Sequence, residues 1–101
     1  MTAYRIENSI VKTENAIKKW IEHSYHDGHN FISVATGSQW HHETLYRSTK
    51  GRHYVVRTSD LQGSGAGHAE WVSPEEAARW LGVNQHDIPA ELQAAADSVT
   101  E

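Results

Sequence analysis

The chain has 101 residues, enough for one domain with a single modest core. Its formal charge of −4 speaks against a general nucleic-acid or anionic-membrane binder, while leaving room for a local basic patch. It contains no cysteine, which excludes a disulfide framework and thiolate chemistry.

No apolar run approaches a membrane span, and Met1-Thr2-Ala3-Tyr4-Arg5 lacks the apolar core of a signal peptide. A soluble, cytoplasmic protein with no membrane partner is therefore expected. Tyr4 to Val11 alternates imperfectly and reads as a short edge strand. Thr13 then suits a helix cap. Ala16, Ile17, Trp20, Ile21 and Tyr25 recur at helical spacing, with Lys18, Lys19 and Glu22 on the opposite side. This predicts an amphipathic N-terminal helix from Thr13 to Tyr25 with Trp20 buried, ended by Gly28.

Phe31 to Ala35 reads as a strand and Thr36-Gly37-Ser38 as a turn. Thr44 to Ser48 and His53 to Thr58 are rich in aromatic and β-branched residues, and Thr49-Lys50-Gly51-Arg52 between them is short and polar. That combination predicts an antiparallel hairpin. Alternation puts Tyr46 on one face, Leu45 and Arg47 on the other, and Tyr54 with Val56 on a common face. One side of the sheet is expected to pack on the first helix and the other to be partly wet. Asp60 to Gly67 is a glycine-rich loop, and Ala69 to Val72 a third strand.

Ser73-Pro74-Glu75-Glu76 is the clearest local signal in the chain. Ser73 can cap free amides, Pro74 suits the first helical position, and Glu76 can reach back to the amide of Ser73. Ala77, Ala78, Trp80 and Leu81 give this helix its apolar side, and Gly82 is expected to stop it. A last helix opens at Pro89 and runs through Leu92, Ala95 and Ala96 into a frayed acidic tail, 97–101.

The run TLYRSTKGRHYVVRTS, followed by AEWVSPEEAARWLG, resembles a pattern in small uncharacterised proteins of bacteria, phages and plasmids. In these a hairpin with an LYR-x-x-x-GR-Y core precedes a strand and an S-x-E-E-A-x-x-WL helix. The likeness covers Trp40 to Leu81. It implies a genomic setting, with no activity and no functional residue to carry over.

Four groups of residues bear on chemistry. His23, His26 and His29 form an H-x2-H-x2-H array, and His41-His42 precede Glu43. Imidazole and carboxylate are zinc or nickel ligands, but His29 lies past the expected helix stop. The histidines are read as solvated or capping, with no metal and no cofactor. The helix over 73–84 imitates the opening helix of excisionase-like DNA binders, yet the segment after it is acidic and broken by proline. Arg47, Lys50, Arg52 and Arg57 concentrate positive charge on the hairpin, with Tyr46, His53 and Tyr54 between them. Aromatic and basic residues together can stack RNA and neutralise phosphate, or simply discourage edge pairing. Trp20 and Trp80 are expected in the core, Trp71 most simply there too, and Trp40 either in the core or in a partner's contact.

Together these observations predict a single α+β domain over 1–101. It has a small antiparallel sheet of three to four strands, with one N-terminal helix and one or two C-terminal helices packed on it. The expected role is non-enzymatic: a small interaction or regulatory protein, phage- or plasmid-associated, that binds and inhibits a larger host protein such as a defence-system component. Trp40, Arg47, Lys50, Arg52, His53 and Arg57 are the candidate contacts, and the partner surface is expected to be acidic. The alternative is a DNA- or RNA-binding regulator using the basic hairpin or the 73–84 helix.

Overall fold

The computed structural model describes residues 3–26, 28–29, 31–37, 41–59 and 67–99. The chain opens with a hairpin of β1 (Ala3–Ile6) and β2 (Ser9–Lys12), in antiparallel register with Ile6 opposite Ser9. The two-residue loop between them holds Glu7 at a φ of 55°, the left-handed value that such tight connections demand. A short 3₁₀ turn (Thr13–Asn15) follows, then β3 (Lys18–Ile21), β4 (Ser24–His26) and β5 (Phe31–Ser33). Next come β6 (His41–Arg47), β7 (His53–Ser59) and β8 (His68–Val72). The chain ends in α1 (Pro74–Val83), a 3₁₀ turn (Ala90–Leu92) and α2 (Gln93–Val99).

Among the described residues the strands form three antiparallel sheets. One has four strands in the order β3-β6-β7-β8, and the other two are the pairs β1-β2 and β4-β5. The expected fold class is corrected on this point: eight strands replace three or four, and the N-terminal helix does not exist. Its residues supply the Thr13–Asn15 turn, β3 and β4. The helical spacing of Ile17, Trp20 and Ile21 was coincidental, since Ile17 and Ile21 are 54% and 61% exposed while Trp20 alone is buried, at 8%. Ile and Trp favour a pleated surface, and β3 closes the edge of the sheet by setting Trp20 opposite Leu45.

Strand alternation then fixes two faces. Leu45 and Val55 are paired across β6 and β7 and point to one side, where Trp20, Ala77, Leu81 and Leu92 complete a buried cluster. Tyr54 and Val56 point to the other side and pack with Ile6, Val11 and Ala69. The second face is therefore covered by the β1–β2 hairpin and is not the partly wet surface expected from the sequence. The lead-in strand proved to be two strands because this apolar face needed a lid.

α1 is held by the cap that its sequence announces. The Ser73 hydroxyl accepts from the Glu76 amide at 3.1 Å, and the Glu76 carboxylate accepts from the Ser73 amide at 3.1 Å. Gly82 does not stop the helix. Asn84 caps it and Gln85 adopts the left-handed conformation with φ 63°. The amides of Gln85 and His86 then donate to the carbonyls of Gly82 and Leu81, closing a Schellman turn. The last helix runs through Val99 and includes Asp97 and Ser98.

Truncating Leu45 or Leu81 to Ala should cost about 2–5 kcal/mol, and Trp20 to Ala about 3–5 kcal/mol, in urea unfolding. Ile17→Ala should change stability by no more than about 0.5 kcal/mol. A large loss at Ile17 would restore the helical reading of this segment.

Candidate functional site

β6 and β7 carry polar side chains at both ends, and the two ends differ in kind. At the start of β6, the Glu43 carboxylate is buried on the helix-covered face. It accepts from Arg57 Nε at 2.5 Å and from the Trp80 indole Nε1 at 3.0 Å. Arg57 also donates through Nη1 to Glu70. Glu22, just past β3, accepts from the Glu43 amide at 2.6 Å and pairs with His42 Nδ1 at 2.7 Å.

The neighbouring loop is anchored as well. Asn84 is buried; its Oδ1 accepts from the His23 amide at 2.9 Å and its Nδ2 donates to the Trp80 carbonyl at 2.8 Å. His86 Nε2 donates to the Ile21 carbonyl at 2.6 Å, and its ring stacks on Trp80. These bonds tie β3, β6, β7, β8 and α1 together. A cleft of about 420 Å³ opens beside them, lined by His41, His42, Arg57, Thr58 and His68 among others. Gly67 enters β8 at φ 105°, where a Cβ would lie 2.6 Å from the Arg57 carbonyl oxygen, so only glycine fits.

The other end is the hairpin tip. The Ser48 amide donates to the Arg52 carbonyl at 2.7 Å, the Arg52 amide donates to Ser48 Oγ at 3.1 Å, and Gly51 turns the chain at φ 85°. Lys50 is exposed, and the Arg52 guanidinium lies over the Trp71 ring, 3.9 Å from its centre. Among the described residues neither cation is paired with a carboxylate. Arg47 reaches Glu91 at 3.7 Å through Nη1.

Three buried side-chain atoms have no hydrogen-bond partner among the described residues: Arg47 Nε, His53 Nε2 and Tyr54 Oη. All three belong to the two rungs next to the tip, Arg47 opposite His53 and Tyr46 opposite Tyr54. His53, 6% exposed, lies beside the Trp20 ring. Burial first, and then the nearby Arg47 cation, push its pKa down against a smaller opposing effect of Glu91, so at neutral pH it is uncharged. Tyr54 is 1% exposed and stacked on Tyr46 at 5.2 Å. Burial, with smaller contributions from Tyr46, Glu14 and Tyr4, pushes its phenol up to about 12, so it remains a neutral donor. Two clefts of about 420 and 390 Å³ flank the tip between it and β2.

Of the residues predicted as contacts, the structure brings Arg47, Lys50, Arg52 and His53 to the tip end. Arg57 is four positions further along β7 than His53, roughly 13 Å away at strand rise, inside the carboxylate network. Trp40 lies outside the described residues, as does 60–66 of the glycine loop. The histidine array is not helical: His26 is in β4, its ring edge-on to Phe31, and His29 is in the turn after it. Among the described residues no three His, Asp or Glu side chains are placed to hold a metal ion. The roles of Glu22, Glu43 and Asn84 were missed. Glu43 follows the His41-His42 pair in sequence, but nothing local shows that Arg57 and Trp80 converge on it.

The chain matches no protein-family model, no curated protein and no solved structure.

The lowered pKa of His53 makes a signed prediction. The unfolded chain takes up a proton near pH 6.5, before the folded one does. The stability held above that pH is therefore lost as the pH falls through 6.5 toward the lower folded value. His53→Phe, which keeps a ring beside Trp20, should remove this component, so its melting temperature should fall less between pH 7.5 and 5 than that of the wild type.

Proposed function

We propose that this chain is a non-enzymatic interaction protein that docks, through the Ser48–Arg52 end of its long hairpin, onto an acidic surface of a larger protein. It would act by occupying that surface, as an inhibitor carried by a phage or plasmid would. The observation that supports this reading is the contrast between the two hairpin ends. At the Glu43 end, Arg57 and His42 are spent on carboxylates of the same chain, and the bonds hold the fold. At the tip, Lys50 and Arg52 lack carboxylate partners among the described residues, and three buried polar groups on the two adjacent rungs, on both faces of the sheet, lack hydrogen-bond partners.

Arg47 Nε and the Tyr54 hydroxyl are donors, and the neutral His53 ring can be one. A surface rich in acceptors and negative charge is the complement to such an end. It would be steered in by the exposed cations even though the chain as a whole is acidic. Trp71, already covered on one side by Arg52, gives the same end a rigid aromatic contact of the kind that carries binding energy.

The test compares wild type with Lys50→Glu/Arg52→Glu in affinity capture from a native host lysate, with and without nuclease. Circular dichroism would establish that the variant folds. A nuclease-resistant protein partner captured by the wild type and lost in the variant is the expected result. Capture of nuclease-sensitive material alone would instead make the chain a nucleic-acid-binding regulator. Equal capture by both proteins would remove the tip from the interface.

A further inference from the structure

We propose that the groove between β2 and the hairpin tip is a docking site for an extended acidic peptide segment, and that the Tyr54 hydroxyl donates to a carboxylate or carbonyl of that segment. The inference rests on the interaction reading above and names the chemistry of the partner.

The two clefts beside the tip share Ile10, Val11, Ser48 and Thr49 in their walls, so they form one continuous groove. Lys12 lies in one cleft, and Lys50 and Arg52 in the other. Cations therefore stand along the groove from end to end. Ile10, 74% exposed, supplies an apolar contact next to them. Alternation along β2 explains the pattern: Val11 points inward to the second core cluster, while Ile10 and Lys12 point out. A chain in extended conformation, with acidic and apolar residues on alternate sides, matches an apolar floor between cationic walls.

Tyr54 gives the groove a specific reader. It lines the first cleft, and its hydroxyl is buried without a partner among the described residues. Lys12, Asn15 and Ala16, at and beside the Thr13–Asn15 turn, line the same cleft as Tyr54. An unmet buried donor costs stability in the free protein. A seated carboxylate or carbonyl would meet that donor, with Lys12 of the same cleft offsetting a carboxylate's charge. Because the hydroxyl is closed to solvent, a ligand must shift this rim slightly to reach it. The other exposed large apolar side chains among the described residues of the N-terminal half, Ile17, Ile21, Tyr25 and Phe31, line none of the clefts described above.

The probe is an acetylated, amidated ten-residue peptide in which Glu alternates with Ile, titrated into isotope-labelled protein and followed by amide shifts. A version with Gln for Glu is the control. Shifts confined to 9–16, 48–54 and Trp71 are expected, with the Gln peptide and the Lys12→Glu variant each about tenfold weaker. Tyr54→Phe should bind about three- to tenfold more weakly, the worth of one hydrogen bond, yet melt at the same or a higher temperature. Equal binding of the Gln peptide, shifts at the Arg57 cleft, no shifts, or a lower melting temperature for Tyr54→Phe would each overturn the proposal. The lysate capture separates the two readings. A partner lost with Lys50→Glu/Arg52→Glu but kept with Lys12→Glu would refute the groove and leave the tip as the interface.

Discussion

The organising constraint of this fold is that the β6–β7 hairpin is apolar on both faces. Leu45 and Val55 point one way, Tyr54 and Val56 the other, and strand alternation admits no compromise between them. A sheet that is hydrophobic on both sides has to be covered on both sides. The capped C-terminal helices serve one face, and the β1–β2 hairpin serves the other. Each cover is small, so neither could persist alone; each is stabilised chiefly by the surface it buries.

The same hairpin divides the polar work of the molecule. Near the start of β6 and the end of β7, charges are consumed internally: Glu43 gathers Arg57 and the indole of Trp80, and Glu22 clips His42 and the backbone of β6 to the end of β3. Partly buried, these interactions join β3, β6, β7 and α1 at one end of the sheet. At the turn end the balance reverses. Cations are exposed, and donors are buried without acceptors among the described residues. Buried polar groups are nearly always satisfied in folded proteins. Three exceptions within two rungs are therefore a local property of that end, and they distinguish it from the satisfied network at the other.

Local chemistry was legible in the sequence where it depends on near neighbours. The hairpin over 44–58, the third strand and the capping box at Ser73 follow from turn residues, β-branched runs and hydrogen bonds closed within three positions. The Thr13–Tyr25 segment was misread because Ile17, Trp20 and Ile21 satisfy a helical period as well as a broken strand pattern. The choice between them was made by Leu45, some twenty-five positions away, which offers Trp20 a cross-strand partner. The end of α1 was misplaced for a similar reason. Gly82 is the better stop by propensity, but Asn84 is held by the amide of His23, a contact invisible to local reasoning.

The candidate site divides along the same line. Sequence alone determined which basic residues flank the turn: the cations Arg47, Lys50 and Arg52, with the neutral His53, are brought together by a connection of a few residues. It also determined, through alternation, that Tyr46 and Arg47 face opposite ways. Only the tertiary structure decided that Arg57 is bound to Glu43 and Glu70 instead of joining the tip, that Lys12 comes to stand beside it, and that Tyr54 is sealed beneath β2. The physical reason is range. Turn chemistry and strand period act over two to five residues, whereas ion pairing and burial depend on which distant segment covers a face, and that is settled by the two-sided demand of the whole sheet.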